Sequence, residues 1–98
     1  MAAKINWSER ACADLHELVA YIATDSPSRA ASFGESLITF VEGVATFPFM
    51  GRLVSDHPRD GLRELVFPPY RIAYLLNKNG TTVEIVRVWH SARGTLEL

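Results

Sequence analysis

Two runs rich in β-branched and aromatic residues, Tyr70–Leu76 and Thr82–His90, flank the tetrapeptide Asn77-Lys78-Asn79-Gly80. Alternating runs around an Asn-Gly step predict a β-hairpin, because Asn and Gly accept the positive φ values that a tight turn demands. A lone hairpin is marginal in water, so the rest of the chain must supply a surface for one of its faces. With Asn79-Gly80 as a two-residue turn, Lys78 pairs with Thr81, Ile72 with Arg87, and Arg71 with Val88. Directly opposed residues share a face, and the faces alternate along each strand. Ile72, Tyr74, Leu76, Val83 and Ile85 then form the more apolar face, which is expected to meet the remaining elements. Arg71 and His90 fall together on the other, open face. Arg87 falls among the apolar set and is expected to reach past the covering elements or to pair with a carboxylate.

The covering elements are legible upstream. Lys4-Ile5-Asn6-Trp7 alternates polar with apolar and reads as a first strand, placed beside the last. Ser8 stands where a helix N-cap belongs, with Glu9 in the first turn to complement the helix dipole. Ala11, Leu15, Leu18, Val19 and Ile22 recur at helical spacing, and Ala30, Phe33, Leu37, Phe40, Val41 and Val44 do so again after Ser26-Pro27. Pro27 suits a first helical position, where its missing N–H costs nothing. Phe47-Pro48-Phe49-Met50-Gly51 ends the helical region, and residues 55–61, which include His57, read as a polar loop. A strand over Leu62–Phe67 then precedes the hairpin across Pro68-Pro69. These elements predict one α+β domain over residues 1–98, in the order β-α-α-β-β-β: a helical hairpin on one face of a small, mostly antiparallel sheet.

Composition narrows the function classes. Ten Lys plus Arg against eleven Asp plus Glu leave a net charge of -1, which does not favour general electrostatic binding to nucleic acid. A single cysteine, Cys12, excludes an internal disulfide and fits a reducing compartment. The N-terminus lacks an apolar leader run and nothing approaches the ~20 apolar residues of a membrane span, so a cytoplasmic protein with no membrane partner is expected. Cys12 and His16, one helical turn apart near Glu9, are too few for a closed metal site, which usually takes four ligands; no metal and no cofactor are expected. Asp14 and Glu17 beside His16 read as a solvated face.

Arg71 and His90 on one face, with Arg63 and Arg93 nearby, are the parts an RNA-cleaving site uses. Guanidinium groups hold a phosphate and stabilise its added charge, while an imidazole moves protons near neutral pH. Surface arginines on a small sheet also serve solubility and edge protection, so the parts alone do not establish catalysis. The helices cannot cover every large apolar group, and a patch involving Trp89, Phe67 and Phe49, rimmed by arginines such as Arg87, is expected to receive a protein partner.

Ile5-Asn-Trp-Ser-Glu-Arg-Ala, Asp14-Leu15, Tyr21-Ile22, Gly51-Arg52, Leu62-Arg63-Glu64-Leu65, Tyr70-Arg71-Ile72-Ala73-Tyr74 and Val86-Arg-Val-Trp-His-Ser-Ala-Arg93 together resemble the RelE/ParE superfamily of bacterial type II toxins, in order and over nearly the whole chain. The resemblance implies the same fold and a cognate antitoxin that wraps the toxin in a hetero-oligomer. It also implies one of two mechanisms. RelE-like members cleave mRNA on the ribosome with basic residues; ParE-like members inhibit DNA gyrase and need no nuclease site. Arg71 matches the arginine of the central Tyr-Arg-aliphatic-x-Tyr motif, and His90 lies where some ribosome-dependent members carry a terminal histidine. The net charge of -1 departs from the basic balance of ribosome-bound members, and Trp89 and Ser91 flank the histidine without the tyrosine often found there. The balance falls to a ParE-like gyrase inhibitor; the alternatives are a RelE-like endoribonuclease or a non-toxic interaction module of the same fold.

Overall fold

The helices begin where their caps dictate. Ser8 Oγ accepts the Ala11 N–H at 3.0 Å and opens helix α1, Glu9–Ala23; Ser26 Oγ accepts the Arg29 N–H at 3.3 Å and opens helix α2, Pro27–Glu42, with Pro27 in the first turn. Each cap satisfies one of the amide donors that a helix N-terminus leaves without an internal partner. The computed structural model describes residues 2–54 and 61–93, with the backbone alone at Arg93. His57 and its loop lie outside the described residues, as does the Arg93 side chain.

Strands β1 (Lys4–Trp7), β2 (Arg52–Leu53), β3 (Leu62–Phe67), β4 (Tyr70–Leu76) and β5 (Thr82–His90) form one sheet in the order β1-β5-β4-β3-β2. β1 lies parallel to β5 and every other pairing is antiparallel. The expected α+β architecture is therefore present. β2 is an addition to it: two residues are too short to carry any periodicity, and only pairing with β3 makes them a strand. Short 3₁₀ turns follow α2 at Gly43–Ala45 and β5 at Ser91–Arg93.

The core sits between the helical hairpin and one face of the sheet. Leu37, Val41 and Val44 from the α2 side and Ile72, Tyr74, Val83 and Ile85 from the hairpin are fully buried, with Leu15, Leu18, Phe33 and Phe40 packed against them. Full burial of one such aliphatic side chain stabilises the fold by roughly 1.5–3 kcal/mol. The opposite face carries a smaller apolar island of Leu62, Ala73, Val86 and Trp89, flanked by Val54 and Leu75. Among the described residues, no helix is long and apolar enough to cross a membrane.

Candidate functional site

The placement of the site residues turns on one extra residue in β5. Near the turn the hairpin keeps the register set by the Asn-Gly step: Leu76 faces Val83, Leu75 faces Glu84, and Tyr74 faces Ile85. The turn itself is a four-residue loop over 78–81, with the Asn77 N–H on Thr82 O and Gly80 at φ +69°. Between Ala73 and Tyr74 the register shifts, so Ala73 faces Arg87, Ile72 faces Val88, Arg71 faces Trp89, and Tyr70 faces His90. Val86 is the inserted residue of a β-bulge, and a shift of one residue transfers every later side chain to the other face.

The bulge is held from outside the hairpin. β1 is shorter than β5, and the edge of β5 beyond Trp7 would otherwise be unpaired. α1 covers it. Ser8 Oγ donates to Val86 O at 3.3 Å, while Asp14 Oδ2 accepts from Val88 N–H at 2.9 Å and from Arg87 Nε at 2.8 Å. Arg87 thus meets a carboxylate, one of the two outcomes expected of it, although the bulge sets it opposite Ala73 and not opposite Ile72 as the turn register had it. Asp14, which the sequence places on a solvated face, is instead a largely buried clasp between α1 and β5. Its side chain is 11% exposed and that of Arg87 17%.

The consequence for chemistry is a correction: Arg71 and His90 do not share a face. His90 lies on the helix side, edge-on to Tyr70 at 5.4 Å, and Tyr70 packs on Phe33 at 4.9 Å. The aromatic row continues through Phe67, which contacts both Phe33 and Phe40. His90 Nδ1 accepts the Ala92 N–H at 3.1 Å, and Ser91 N–H donates to Pro69 O at 2.9 Å, so the imidazole and its neighbour anchor the final turn. Arg71 lies on the open face in an ion pair with Glu64.

The remaining predicted residues divide in the same way. Trp89 is 8% exposed, buried in the open-face island, and Phe67 is half-buried in the aromatic row; neither forms the exposed patch expected of them. Phe49 is 60% exposed, with Phe47, Met50 and Leu53 also exposed nearby in the chain. Arg63 faces away from Arg71. Its Nη1 donates to Gly51 O at 2.8 Å and to Phe49 O at 3.2 Å, and its guanidinium lies 5.1 Å from the Phe49 ring centroid.

Arg63 completes a small polar knot under the sheet edge. Tyr74 Oη donates to Pro48 O at 2.8 Å and accepts Gly51 N–H at 2.9 Å. Burial pushes the Tyr74 phenol above its ordinary pKa, while the Gly51 hydrogen bond and the Arg63 charge act in the opposite direction. Gly51 is obligatory at this contact, because a Cβ there would lie 2.6 Å from the Tyr74 hydroxyl. The Gly51-Arg52 step in the sequence therefore marks a close backbone approach.

Two residues to which the sequence gives no organising role emerge as organisers. Asp14 clasps the bulge, and Glu64 lies between Arg52 and Arg71 on the open face. The Glu64 signal was present: it alternates with Leu65 along β3 and so had to face away from the core. Its partners depend on the register of two neighbouring strands. Among the described residues, no cluster of three or more His, Cys, Asp or Glu side chains could hold a metal ion.

Comparison with known proteins agrees with this architecture. Residues 5–94 match the family described as ParE toxin of type II toxin-antitoxin system, parDE. Toxin RelE2 of Caulobacter vibrioides is 39% identical over 92 residues, covering 93% of this chain and 98% of that protein. A putative toxin of Sinorhizobium fredii, Y4kP, is 36% identical over 90 residues, covering 90% and 88%. The fold is similar to that of a chain from the chromosomal ParDE system of P. aeruginosa, with TM-score 0.72 and 19% identity over 91% of this chain and 96% of that one. It is also similar to a chain of the RelBE2 toxin-antitoxin complex of Mycobacterium tuberculosis, with TM-score 0.65 and 22% identity over 92% and 99%. The chain belongs to the ParE toxin family of type II toxin–antitoxin systems.

Proposed function

We propose that the protein inhibits bacterial growth by binding DNA gyrase, and that a cognate antitoxin made alongside it neutralises the toxin by wrapping it. The observation that carries the reading is the separation of Arg71 and His90 onto opposite faces of the sheet. An RNA-cleaving site needs a phosphate-holding cation and a proton-transferring group within hydrogen-bond reach of one scissile phosphate. Here Arg71 is paired with Glu64, Arg63 with two backbone carbonyls, and Arg87 with Asp14. His90 Nδ1 is engaged by the Ala92 N–H. Side chains so committed serve a folded binding surface better than a nuclease centre. The family match to ParE toxins and the net charge of -1 support the same side of the choice.

The test is induced expression of the protein, alone and with the short neighbouring reading frame, followed by parallel assays of gyrase supercoiling and of mRNA cleavage in a translating extract. Growth arrest relieved by the neighbour, inhibited supercoiling and intact mRNA are expected. His90→Gln should keep toxicity within about threefold of the unaltered protein, whereas removal of a general acid or base lowers a rate by roughly 10²–10⁴-fold. Cleavage of mRNA by the unaltered protein, lost in a folded His90→Gln variant, would establish the ribonuclease reading instead.

A further inference from the structure

Across strands β2, β3 and β4 the open face carries Arg52, Glu64 and Arg71 in one cluster. Arg52 is directly opposite Glu64, and Arg71 is its diagonal neighbour, because Glu64 faces Ala73 while Arg71 faces Val66. Long side chains bridge both distances. Both guanidinium groups address the same carboxylate oxygen, Glu64 Oε1: Arg52 Nη2 at 3.4 Å and Arg71 Nη1 in close contact. The Glu64 side chain is 10% exposed, whereas Arg71 is 36% and Arg52 72% exposed. The carboxylate is thus the buried centre, and the arginines surround it from the solvent side.

We infer that Glu64 is the specificity determinant of this face: it occupies the oxyanion position between Arg52 and Arg71 and thereby withholds a two-guanidinium site from phosphodiester ligands. Two arginines that converge on one oxygen are already arranged as a phosphate clamp would be. An external phosphate must compete with a carboxylate that is covalently part of the same sheet and present at every encounter. Repulsion between Glu64 and the incoming anion adds to that disadvantage. Neutralising Glu64 leaves both cations in place without their internal anion. This inference concerns which ligands the face rejects, and it stands whether or not gyrase is the target.

The experiment measures binding of a fluorescently labelled oligouridylate to the purified full chain by anisotropy at low ionic strength. Glu64→Gln keeps the shape of the side chain and removes its charge; it should bind at least about tenfold more tightly than the unaltered protein, with the gain falling steeply as salt is added. Glu84→Gln, on the same open face across from Leu75, makes the same change in net charge away from the arginine pair and should show little gain. The double variant Glu64→Gln with Arg71→Gln should return to the unaltered level. A folded Glu64→Gln protein with no gain overturns the inference. So does an equal gain in Glu84→Gln, or a gain that survives loss of Arg71. If Glu64→Gln does not fold, Glu64→Asp replaces it, keeping the charge but shortening the reach toward Arg71. A smaller, salt-sensitive gain then supports the inference, and none overturns it.

Discussion

On the turn side of Val86 the β4–β5 hairpin follows its own loop; beyond Val86 it follows helix α1. From Leu76 facing Val83 to Tyr74 facing Ile85, the pairs are those an uninterrupted hairpin would form from its Asn-Gly turn. From Ala73 facing Arg87 to Tyr70 facing His90, every pair is displaced by one residue. The turn half is defined by residues a few positions apart, such as Asn77, whose side-chain oxygen accepts the Thr81 and Thr82 N–H groups. The bulged half is defined by Ser8 and Asp14, more than seventy positions away in sequence. A turn rule therefore propagates only until a distant element competes for the strand edge. In this protein the proposed mechanism depends on that competition, because the bulge separates His90 from Arg71.

Removing the clasp should break the comparison most severely. Asp14→Ala removes the carboxylate that accepts from Arg87 Nε and from Val88 N–H, and leaving a buried backbone donor without its acceptor costs about 1–3 kcal/mol. Denaturant unfolding should show that loss, and hydrogen exchange should show protection falling first at Val88 while Val83 and Ile85 hold longer. Asp14→Asn keeps an acceptor for Val88 and should lose less. Equal loss of protection in both halves would show that they do not depend on different supports.

Tyr74 stands at the junction, as the last residue to follow the turn register. Tyr74→Phe leaves Gly51 N–H and Pro48 O without their shared hydroxyl, at a cost of about 1–3 kcal/mol. The same variant should change the alkaline limb of stability. Burial keeps the phenol neutral to higher pH in the folded state than in the unfolded chain, whose tyrosine ionises near ~10. The Tyr74 contribution is accordingly complete below that pH and is lost as pH rises toward the folded value. Melting temperature should fall less steeply above pH ~10 in Tyr74→Phe than in the unaltered protein; identical slopes would contradict the assignment.

The smallest effect is expected at the turn. Gly80 has φ +69°, and a Cβ there would lie 3.1 Å from the Phe49 ring. Gly80→Ala should cost about 1 kcal/mol by forcing a side chain into the left-handed region. Cross-strand contacts by NMR should remain unchanged from Ala73 to Tyr70, since the bulged half takes its register from α1. A register slip throughout the hairpin would show the turn to be in control after all.

The sequence by itself determined the core and every element of the expected order, while β2 became a strand only by pairing with β3. Helix caps at Ser8 and Ser26, apolar spacing in α1 and α2, and alternation in β3, β4 and β5 are local properties, each written within a few neighbouring residues. The buried set from Leu37 to Ile85 followed because burial and periodicity report the same physical demand. The family resemblance was legible for the same reason, being distributed over motifs that keep those elements. Tertiary structure alone decided which chemistry-bearing side chains meet. The bulge at Val86, the pairing of Asp14 with Arg87, the capture of Arg63 by Gly51 and Phe49 carbonyls, and the placing of Glu64 between Arg52 and Arg71 all join segments that only the folded chain brings together. Strand register has a period of two, so one inserted residue reverses a face while leaving the local pattern almost unaltered.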